Sequence, residues 1–431
     1  MTIGMLAIIA VLVLSFLRVP LAFSLLTVSL VSISLLMGFD VALTLLPMTI
    51  SEAVLSYELA VVPMFILMGN VISRTGISKD LFLSANAFFG HIRGGLSLST
   101  MVACAGFSAV CGSSYATAAT MSKVAYPSMR RYGYSEGLAT ATIAAGGTLG
   151  ILIPPSIILV IYGILTQTNI GDLFIAGVLP GLLGLAMYMA CIWIISLLKP
   201  DSAPRGETTD WRTRLSSLKG VWSFIFIFAL IIGGLYLKWF SPTEAAGIGA
   251  GIALMVATLS GKMNLKVLRE VLLETAYTSV ALYTVLFGAL LFSKFISYSG
   301  LADGILEFVQ AAGVEGIALL VMILLVFLVL GCVMDSLAII LIFVPLFAPL
   351  IVAEGHDLVW FGIVVVVATE IALITPPIGM NVFVLRATLP DVPIATIFKG
   401  LLPFVLTDIV RLILLILFPV IALGLVELSA G

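Results

Sequence analysis

Two pairs of adjacent prolines interrupt long apolar segments of this chain, and they restrict its fold more than any other feature. Pro154-Pro155 and Pro376-Pro377 lie 222 residues apart in sequence. Proline lacks the backbone N–H donor and its ring clashes with the preceding helical turn, so two in succession unwind a helix and free its carbonyl groups. In hydrocarbon such a break is tolerated only where it is buried in protein or lines a cavity. The two pairs therefore predict two unwound helices at internal sites.

The chain is too apolar to be a soluble globule. Of its 431 residues, 61% are hydrophobic and 10% are charged. Several apolar runs are long enough to cross roughly 30 Å of hydrocarbon. These runs are 3–17, 20–37, 59–73, 137–166, 171–198, 220–237, 243–260, 275–297, 358–386 and 400–426. The sequence thus predicts an all-α polytopic membrane protein.

The distribution of charge predicts an orientation for these spans. Lysine and arginine gather in loops that the positive-inside rule places in the cytoplasm. These residues are Arg18, Arg74, Lys79, Arg93, Lys123, Arg130, Arg131, Lys199, Arg205, Arg212, Arg214, Lys219, Lys262, Lys266, Arg269, Arg386 and Lys399. Acidic residues, among them Asp40, Glu52 and Asp357, occupy the opposite loops. Both termini are therefore predicted on the outer face.

A further apolar stretch, residues 94–129, has basic residues at both ends. Arg93 and Arg130 bound it, so both ends are predicted in the cytoplasm. Its length is too short for two spans of about 20 residues plus a turn. We therefore predict a re-entrant helical hairpin whose tip, Gly112-Ser113-Ser114, stops part-way through the membrane.

Residues 316–353 form a second stretch of this kind, but acidic residues bound it. Glu315 precedes it and Glu354 follows it, and a break occurs at Met334-Asp335-Ser336. This pattern predicts a second re-entrant hairpin, which enters from the outer face.

Matched residues at a nearly fixed offset indicate an internal duplication. Adding 222 to the positions of Pro127, Gly133 and the first proline pair gives Pro349, Gly355 and the second pair. Equivalent loops carry opposite charge, so the duplication predicts an inverted-topology repeat. The predicted units are a first repeat (1–198) with a hairpin at 94–129 and a broken helix at 137–166, a cytoplasmic linker (199–219), and a second repeat (220–431) with a hairpin at 316–353 and a broken helix at 358–386.

Each half offers a hairpin tip and a broken helix, and inverted symmetry brings both pairs together near the bilayer midplane. Freed carbonyls and hydroxyls suit Na⁺, while helix N-termini suit a carboxylate. Candidates in the first half are Gly112, Ser113, Ser114, Gly146, Gly147, Thr148, Pro154, Pro155 and Ser156. Candidates in the second half are Met334, Asp335, Ser336, Thr369, Glu370, Thr375, Pro376, Pro377, Gly379 and Asn381. The alternative is that these small residues only permit tight helix packing.

Two of these candidates are carboxylates within the membrane, which are functional candidates by default. Asp335 has three possible roles: it binds a cation, it titrates, or it caps the helix after the tip. Glu370 occupies the position equivalent to Thr148, and its alternative role is lateral pairing with a neighbouring helix.

Catalytic and nucleotide-binding motifs are absent from the sequence. It contains no GxxxxGK[ST] phosphate loop, no HExxH and no nucleophile elbow. A secondary transporter, a channel and an intramembrane enzyme remain. Inverted repeats with broken helices favour a secondary active transporter over a channel, and no paired nucleophile and base supports an enzyme.

Several motifs resemble the large membrane subunit of tripartite ATP-independent periplasmic (TRAP) transporters, of the ion transporter superfamily. They are PMFILMGNVISRTGISKDLF, GHIRGGLSLSTMVACAGFSAVCGSSYATAAT, AAGGTLGILIPPSIILVIYG, MDSLAIILIFVPLFAPL and TPPIGMNVFVLRA, and the resemblance covers almost the whole chain. It implies a bacterial or archaeal cytoplasmic (inner) membrane protein that works with a small four-helix membrane subunit, on a separate chain, and with an extracytoplasmic solute-binding protein.

The resemblance also implies a mechanism. Members import organic acids such as C4-dicarboxylates, sialic acid and sulfonates, driven by a Na⁺ gradient, with a transport domain that slides as an elevator against a scaffold. Na⁺ is then the coupling ion, membrane lipids surround the chain, and no organic cofactor or nucleic acid is involved. The alternative function is a stand-alone anion carrier or exchanger of the same superfamily that needs no binding protein.

Site residues carry over by position. The resemblance implies a first Na⁺ site at Gly112, Ser113 and Ser114 with backbone near Gly147 and Thr148. It implies a second at Met334, Asp335 and Ser336 with backbone near Thr369, Thr375 and Pro376. Substrate would lie between the tips, and the implied substrate residues are Ser114, Pro154, Pro155, Ser336, Pro377 and Asn381. Many relatives read GSAVADAA at the first tip, whereas this chain reads GSSYATAAT without the acidic residue, which leaves the substrate open.

Overall fold

A computed structural model describes residues 2–430 of the chain, so the outermost residues of the two predicted repeats, Met1 and Gly431, lie outside the described residues. The described part is built from α-helices, with short 3-10 turns at Tyr57–Ala60 and Pro200–Ser202, and it contains no β-strand. The predicted all-α class is confirmed.

The helices are, in chain order, α1 (Thr2–Phe16), α2 (Leu21–Met37), α3 (Phe39–Leu55), α4 (Val61–Arg74), α5 (Ile77–Phe89), α6 (Gly95–Cys111), α7 (Ser114–Val124), α8 (Tyr126–Arg131), α9 (Glu136–Leu152), α10 (Ile157–Thr166), α11 (Ile170–Leu198), α12 (Trp211–Tyr236), α13 (Pro242–Leu259), α14 (Leu265–Ser299), α15 (Leu301–Ala311), α16 (Ile317–Gly331), α17 (Ser336–Ala353), α18 (Leu358–Ile374), α19 (Met380–Thr388), α20 (Ile394–Leu417) and α21 (Val420–Ala430).

Eight helical segments within residues 2–430 have the length and apolar composition to cross a membrane. They are Tyr57–Arg74, Glu136–Thr166, Ile170–Leu198, Trp211–Tyr236, Pro242–Leu259, Leu265–Ser299, Ser336–Ala353 and Ile394–Leu417. Shorter apolar helices, α1, α2, α6, α16 and α18 among them, accompany these. The chain is therefore a multi-pass membrane protein. How deeply the hairpins enter the membrane and which way the halves face stay predictions.

Helices α3 and α5 occupy segments that the sequence analysis assigned to loops. Asp40 and Glu52 lie within α3, and Lys79 lies within α5. These charges interrupt the apolar runs, so a search for long uncharged segments missed both helices. Helix α14 is also longer than the predicted run 275–297. Its first turns carry Glu270 and Glu274, which form ion pairs with Arg74 of α4. These charges kept the first turns out of the predicted apolar run.

The predicted linker at 199–219 is shorter in the structure. Helix α12 begins at Trp211, where Asp210 caps it by accepting a hydrogen bond from the Thr213 backbone N–H at 3.2 Å. Hydrogen bonds from the side chain and backbone of Thr213 lower the pKa of the Asp210 carboxyl. The rest of the linker packs on the base of the first hairpin, since the Gly94 N–H donates to the Ala203 carbonyl at 3.2 Å.

Glycine and other small residues bring each hairpin against the broken helix of its own half. A Cβ at Gly146 of α9 would lie 2.7 Å from the Cβ of Cys104 in α6, so only glycine permits this approach. In the second half, Gly331 of α16 faces Ala372 of α18 so closely that an added Cβ would overlap it. In each half, a close contact at a glycine therefore holds the hairpin against the broken helix.

Candidate functional site

The two hairpin tips line one cavity. Its volume is about 220 Å³, and its walls include Ser113 and Ser114 from the first tip and Asp335 and Ser336 from the second. The remaining wall includes Thr278 of α14. The two tips are far apart in sequence, and the structure brings them together at this cavity.

Each tip presents the beginning of a helix to this cavity. Ser113 caps α7 by accepting a hydrogen bond from the Ala116 N–H at 3.3 Å, and Asp335 caps α17 by accepting one from the Leu337 N–H at 3.2 Å. Helix N-termini carry partial positive charge and unpaired N–H groups, which favour anions. The cavity therefore combines anion-attracting helix ends with hydroxyl and carboxylate oxygens.

A hydrogen bond joins the two tips across the cavity. The Tyr115 hydroxyl donates to the Asp335 Oδ1 atom. Asp335 thus has two roles in this structure, as a helix cap and as the acceptor for a residue of the other hairpin. The cap was one of the three roles predicted for Asp335, whereas Tyr115, which lies next to the predicted tip, was not predicted as a site residue.

The first helix break lies directly behind the first tip. Helix α9 ends at Leu152 and α10 begins at Ile157, and the Pro154-Pro155 bond between them is cis. A Cβ at Gly112 would lie 3.7 Å from the Pro155 carbonyl oxygen. Pro154 and Pro155 are buried, so they support the tip from behind and do not line the cavity.

The second break differs. Helix α18 ends at Ile374 and α19 begins at Met380, with Pro376 and Pro377 joined by a cis bond and exposed on the surface. The Thr375 hydroxyl turns back to donate to the Ile371 carbonyl at 2.5 Å. Neither proline lines the cavity between the tips.

Asn381 of α19 lies beneath the first tip although it belongs to the second half. Its Nδ2 atom donates to the Ala144 carbonyl at 3.1 Å, and a Cβ at Gly147 would be 3.4 Å from that nitrogen and 3.0 Å from the Ser114 carbonyl oxygen. The Oδ1 atom of Asn381 is fully buried and has no hydrogen-bond partner within the described structure. Asn381, a predicted substrate residue, thus lies beside Gly147 and Ser114, which were predicted to belong to the first Na⁺ site.

Oxygen atoms available at the tips fit a Na⁺ ion chemically. The buried Ser336 hydroxyl and the Asn381 Oδ1 atom have no partner within residues 2–430, and small hard cations prefer oxygen ligands of this kind. By contrast, the hydroxyls of Thr148 and Thr369 donate to carbonyls of their own helices, at 2.7 and 2.8 Å. Met334 is buried next to its tip but outside the cavity wall.

A cluster of buried charges lies where α11, α18 and α20 meet. Arg411 of α20 donates to Glu370 of α18 and lies 3.0 Å from the Oδ1 atom of Asp408, and all three side chains are fully buried. The Tyr188 hydroxyl of α11 donates to Asp408 and lies 3.4 Å from the Thr148 hydroxyl. Lateral pairing, the alternative considered for Glu370, is therefore what the structure shows.

Sequence analysis missed Tyr188 and Asp408. The available signal was the pair Asp408 and Arg411, three residues apart in an apolar helix, since residues at that spacing share a helix face. Within residues 2–430, no group of three or more His, Cys, Asp or Glu side chains could hold a metal ion.

Comparison with known proteins identifies the family. The family model described as tripartite ATP-independent periplasmic transporter, DctM component, matches residues 8–421. The chain is 37% identical over 371 residues to the C4-dicarboxylate TRAP transporter large permease protein DctM of Pseudomonas aeruginosa, covering 86% of each chain. It is 35% identical over 376 residues to the ectoine TRAP transporter large permease protein TeaC of Halomonas elongata, covering 86% of this chain and 87% of that one.

Another relative agrees with this, and one solved structure shares the fold. The sialic acid TRAP transporter large permease protein SiaM of Vibrio cholerae is 32% identical over 381 residues, covering 87% of this chain and 88% of the relative. In fold, the chain is similar to the crystal structure of the Alcanivorax borkumensis YdaH transporter, with a TM-score of 0.61 at 16% identity over 89% of each chain. The chain belongs to the family of tripartite ATP-independent periplasmic transporters, as a large permease subunit of the DctM type.

Proposed function

We propose that this subunit forms the substrate pathway of a Na⁺-coupled secondary transporter that imports an organic acid and depends on a solute-binding protein. The observation that carries the proposal is the single cavity in which the two hairpin tips meet. Ser113 and Ser114 face Asp335 and Ser336 there, and two helix N-termini point at the space between them. A carboxylate substrate and small cations are the ligands that such a set of groups favours.

In this proposal each hairpin tip binds one Na⁺ ion, and the substrate binds between the tips. The first tip, with Gly147 and Asn381 beneath it, would hold one Na⁺. The second tip, with Asp335 and the unpartnered Ser336 hydroxyl, would hold the other. The substrate carboxylate would bind between the helix N-termini, and the Tyr115–Asp335 hydrogen bond would keep the tips in register.

The cavity lies between the hairpin tips and the long helix α14, and this arrangement supports an elevator motion. Thr278 and Leu282, which belong to the long helix α14, form one wall. That helix packs chiefly against α2, α3 and α4, which lie outside the hairpins and broken helices, and it meets α17 of the second hairpin. The proposed transport domain comprises the hairpins and broken helices, and the proposed scaffold contains α14.

Partner proteins follow from the family. The isethionate TRAP transporter permease protein DctMQ of Oleidesulfovibrio alaskensis is 31% identical over 355 residues, and the match covers 55% of its length. We propose that this chain works with a small four-helix membrane subunit on a separate chain and with an extracytoplasmic solute-binding protein. We place the complex in a bacterial or archaeal cytoplasmic membrane, with basic loops inside and both termini outside.

Uptake into proteoliposomes tests the function. The subunit is reconstituted with its small membrane partner and its binding protein, and organic acids are chosen by thermal-shift screening of that binding protein. We expect uptake only under an inward Na⁺ gradient. Unchanged uptake in a choline-balanced, Na⁺-free buffer would refute Na⁺ coupling, and uptake without the binding protein would favour the stand-alone carrier.

Cross-linking tests the elevator motion. In a chain whose four cysteines are replaced, a Thr278→Cys/Leu337→Cys pair joins α14 to the second hairpin across the cavity. A short bifunctional thiol reagent should abolish uptake. The control pair, Ile317→Cys/Glu354→Cys, joins the two arms of the second hairpin at their base, next to the Gly316–Glu354 hydrogen bond and away from the cavity, and cross-linking it should leave uptake intact. Equal inhibition of both pairs would contradict a sliding transport domain.

A further inference from the structure

A second and larger cavity lies away from the hairpin tips, between α11 and α20. Its volume is about 910 Å³, near the upper end of the roughly 300–1,000 Å³ range of small-molecule pockets. Helix α11 contributes Met187, Ala190 and Ile194, and α20 contributes Pro403 and Leu406. None of these residues belongs to the site proposed for ions and substrate, so the cavity needs a separate explanation.

The cavity is a groove that runs along both helices. Its lining extends along α11 from Met187 to Lys199, the residue that follows the helix, and along α20 from Thr396 to Val410. At 1.5 Å per residue these stripes are about 18 and 21 Å long. One leaflet of a bilayer contributes about half of the ~30 Å hydrocarbon core. The groove therefore has the depth of a single leaflet.

Polarity along the groove is strongly uneven. The deep end is apolar, and the Thr407 hydroxyl there is satisfied by the Pro403 carbonyl at 2.8 Å. The other end carries the exposed side chains of Lys199 and Lys399. Neither lysine takes part in the ion pairs formed within residues 2–430. No Asp or Glu lines the groove.

Glycines bring α9 and α20 into close contact at the mouth of the groove. Gly137 of α9 and Gly400 of α20 line its mouth, and an added Cβ at Gly400 would overlap the Gly137 carbonyl. Glu136 and Asp201 adjoin lining residues in sequence but are outside the groove wall. The two lysines consequently dominate the charge at the mouth.

We propose that this groove binds an anionic glycerophospholipid, with its phosphate at Lys199 and Lys399 and an acyl chain between α11 and α20. Three features select this occupant: the length of one leaflet, the apolar depth and the basic mouth. A partner transmembrane helix would continue across both leaflets, which the groove does not. The mouth lies at the face that the positive-inside rule predicts as cytoplasmic, and basic pockets between helices on that side bind anionic lipid headgroups.

Photo-cross-linking in nanodiscs tests this site. The full-length chain is placed in phosphatidylcholine nanodiscs that contain a trace of phosphatidylglycerol with a photoactivatable acyl chain, and adducts are mapped by mass spectrometry. Adducts should concentrate on residues 187–198 and 400–410. Unlabelled phosphatidylglycerol should displace them, whereas additional phosphatidylcholine or free glycerol 3-phosphate should not.

Variants make the test specific. Lys199→Gln/Lys399→Gln should raise the phosphatidylglycerol concentration needed for half-displacement roughly 30-fold, since each lysine near an anionic headgroup contributes about 1 kcal/mol, or about fivefold. Ala190→Trp, which fills the groove and keeps both lysines, should remove the adducts. The control Lys219→Gln/Lys266→Gln removes two exposed lysines elsewhere and should change nothing.

The opposite results overturn the site. Adducts that are unchanged in the double lysine variant and in Ala190→Trp would show that the lipid binds elsewhere. Equal displacement by phosphatidylcholine would remove the role of the lysines, and displacement by glycerol 3-phosphate would indicate a soluble phosphate. Loss of small-subunit association in Ala190→Trp, with adducts retained, would show that the groove is a protein interface.

Discussion

The two Pro-Pro breaks share a sequence pattern and a cis bond, yet one is buried and the other is exposed. Pro154 and Pro155 lie inside the protein, and Ser156 closes the first break as a fully buried cap of α10. Pro376 and Pro377 lie at the surface, and Gly379, with φ +58°, leads into α19. Packing thus makes the first break a buried support and leaves the second accessible.

The two hairpin tips also differ from each other, in their charge. The first tip is neutral and is capped by a serine, whereas the second carries the carboxylate of Asp335, which also accepts the Tyr115 hydroxyl. The sites that we propose at the two tips are therefore unequal: the second should depend on charge and the first on geometry.

The largest expected effect is at the cluster that joins the two halves. Arg411→Met leaves the carboxylates of Glu370 and Asp408 buried without their cation. Breaking a buried ion pair in this way costs about 3–5 kcal/mol. We expect a large fall in the free energy of unfolding measured by SDS titration in mixed micelles.

Two matched variants accompany this measurement. Arg131→Met removes an exposed arginine and should have little effect. Replacing Glu370, Asp408 and Arg411 together by Gln, Asn and Met should lose less stability than Arg411→Met alone, because no unpaired charge remains. If Arg411→Met unfolds like the wild-type protein, the cluster does not join the halves energetically.

A smaller effect is expected where α11 supports the first break. A Cβ at Gly177 would lie 2.7 Å from the Leu152 carbonyl oxygen, against backbone that cannot easily shift. Gly177→Ala should therefore cost about 1–3 kcal/mol, as overpacking does, when measured by the same SDS titration. Gly233→Ala in α12 is the control: its added Cβ meets nothing within 4 Å, so it should be neutral or stabilising. Equal stability of the two variants would mean that the first break is not a fixed support.

Buried serines give the smallest and most selective contrast in stability. Ser156 caps α10 and accepts from the Leu159 N–H at 3.3 Å, so Ser156→Ala should cost about 1 kcal/mol. The Ser336 hydroxyl has no partner in the described structure, so Ser336→Ala should leave the thermal stability unchanged while it weakens Na⁺-dependent uptake. A Ser336→Ala protein with lower stability and normal uptake would assign this hydroxyl a purely structural role.

Sequence patterns predicted the parts of the fold that local chemistry determines. Proline pairs end helices wherever they occur, and the polar tips at Ser113 and Asp335 interrupt apolar runs, so both breaks and both turns could be located. Helices α3 and α5 were missed because Asp40, Glu52 and Lys79 lie within them. Their helical state depends on packing against other helices, which a hydropathy window does not represent.

Long-range contacts account for the rest of what was missed. The pairing of Arg411 with Glu370 requires that α18 and α20 meet, and the position of Tyr188 requires that α11 joins them. Likewise, the exposure of Pro377 and the burial of Pro155 follow from which helices cover each break. These features depend on tertiary packing. The sequence indicates them only through charged residues that lie in apolar segments without an obvious partner.

The Na⁺ concentration for half-maximal uptake, compared among wild type, Ser113→Ala and Asp335→Asn, tests the proposed two-tip site. We predict that both variants require more Na⁺, and that Asp335→Asn requires at least about tenfold more because contacts to a charged group contribute about 1.5–3 kcal/mol. Asp391→Asn, at an exposed carboxylate, is the control and should match wild type. Unchanged Na⁺ dependence in both tip variants would contradict a shared site between the hairpin tips.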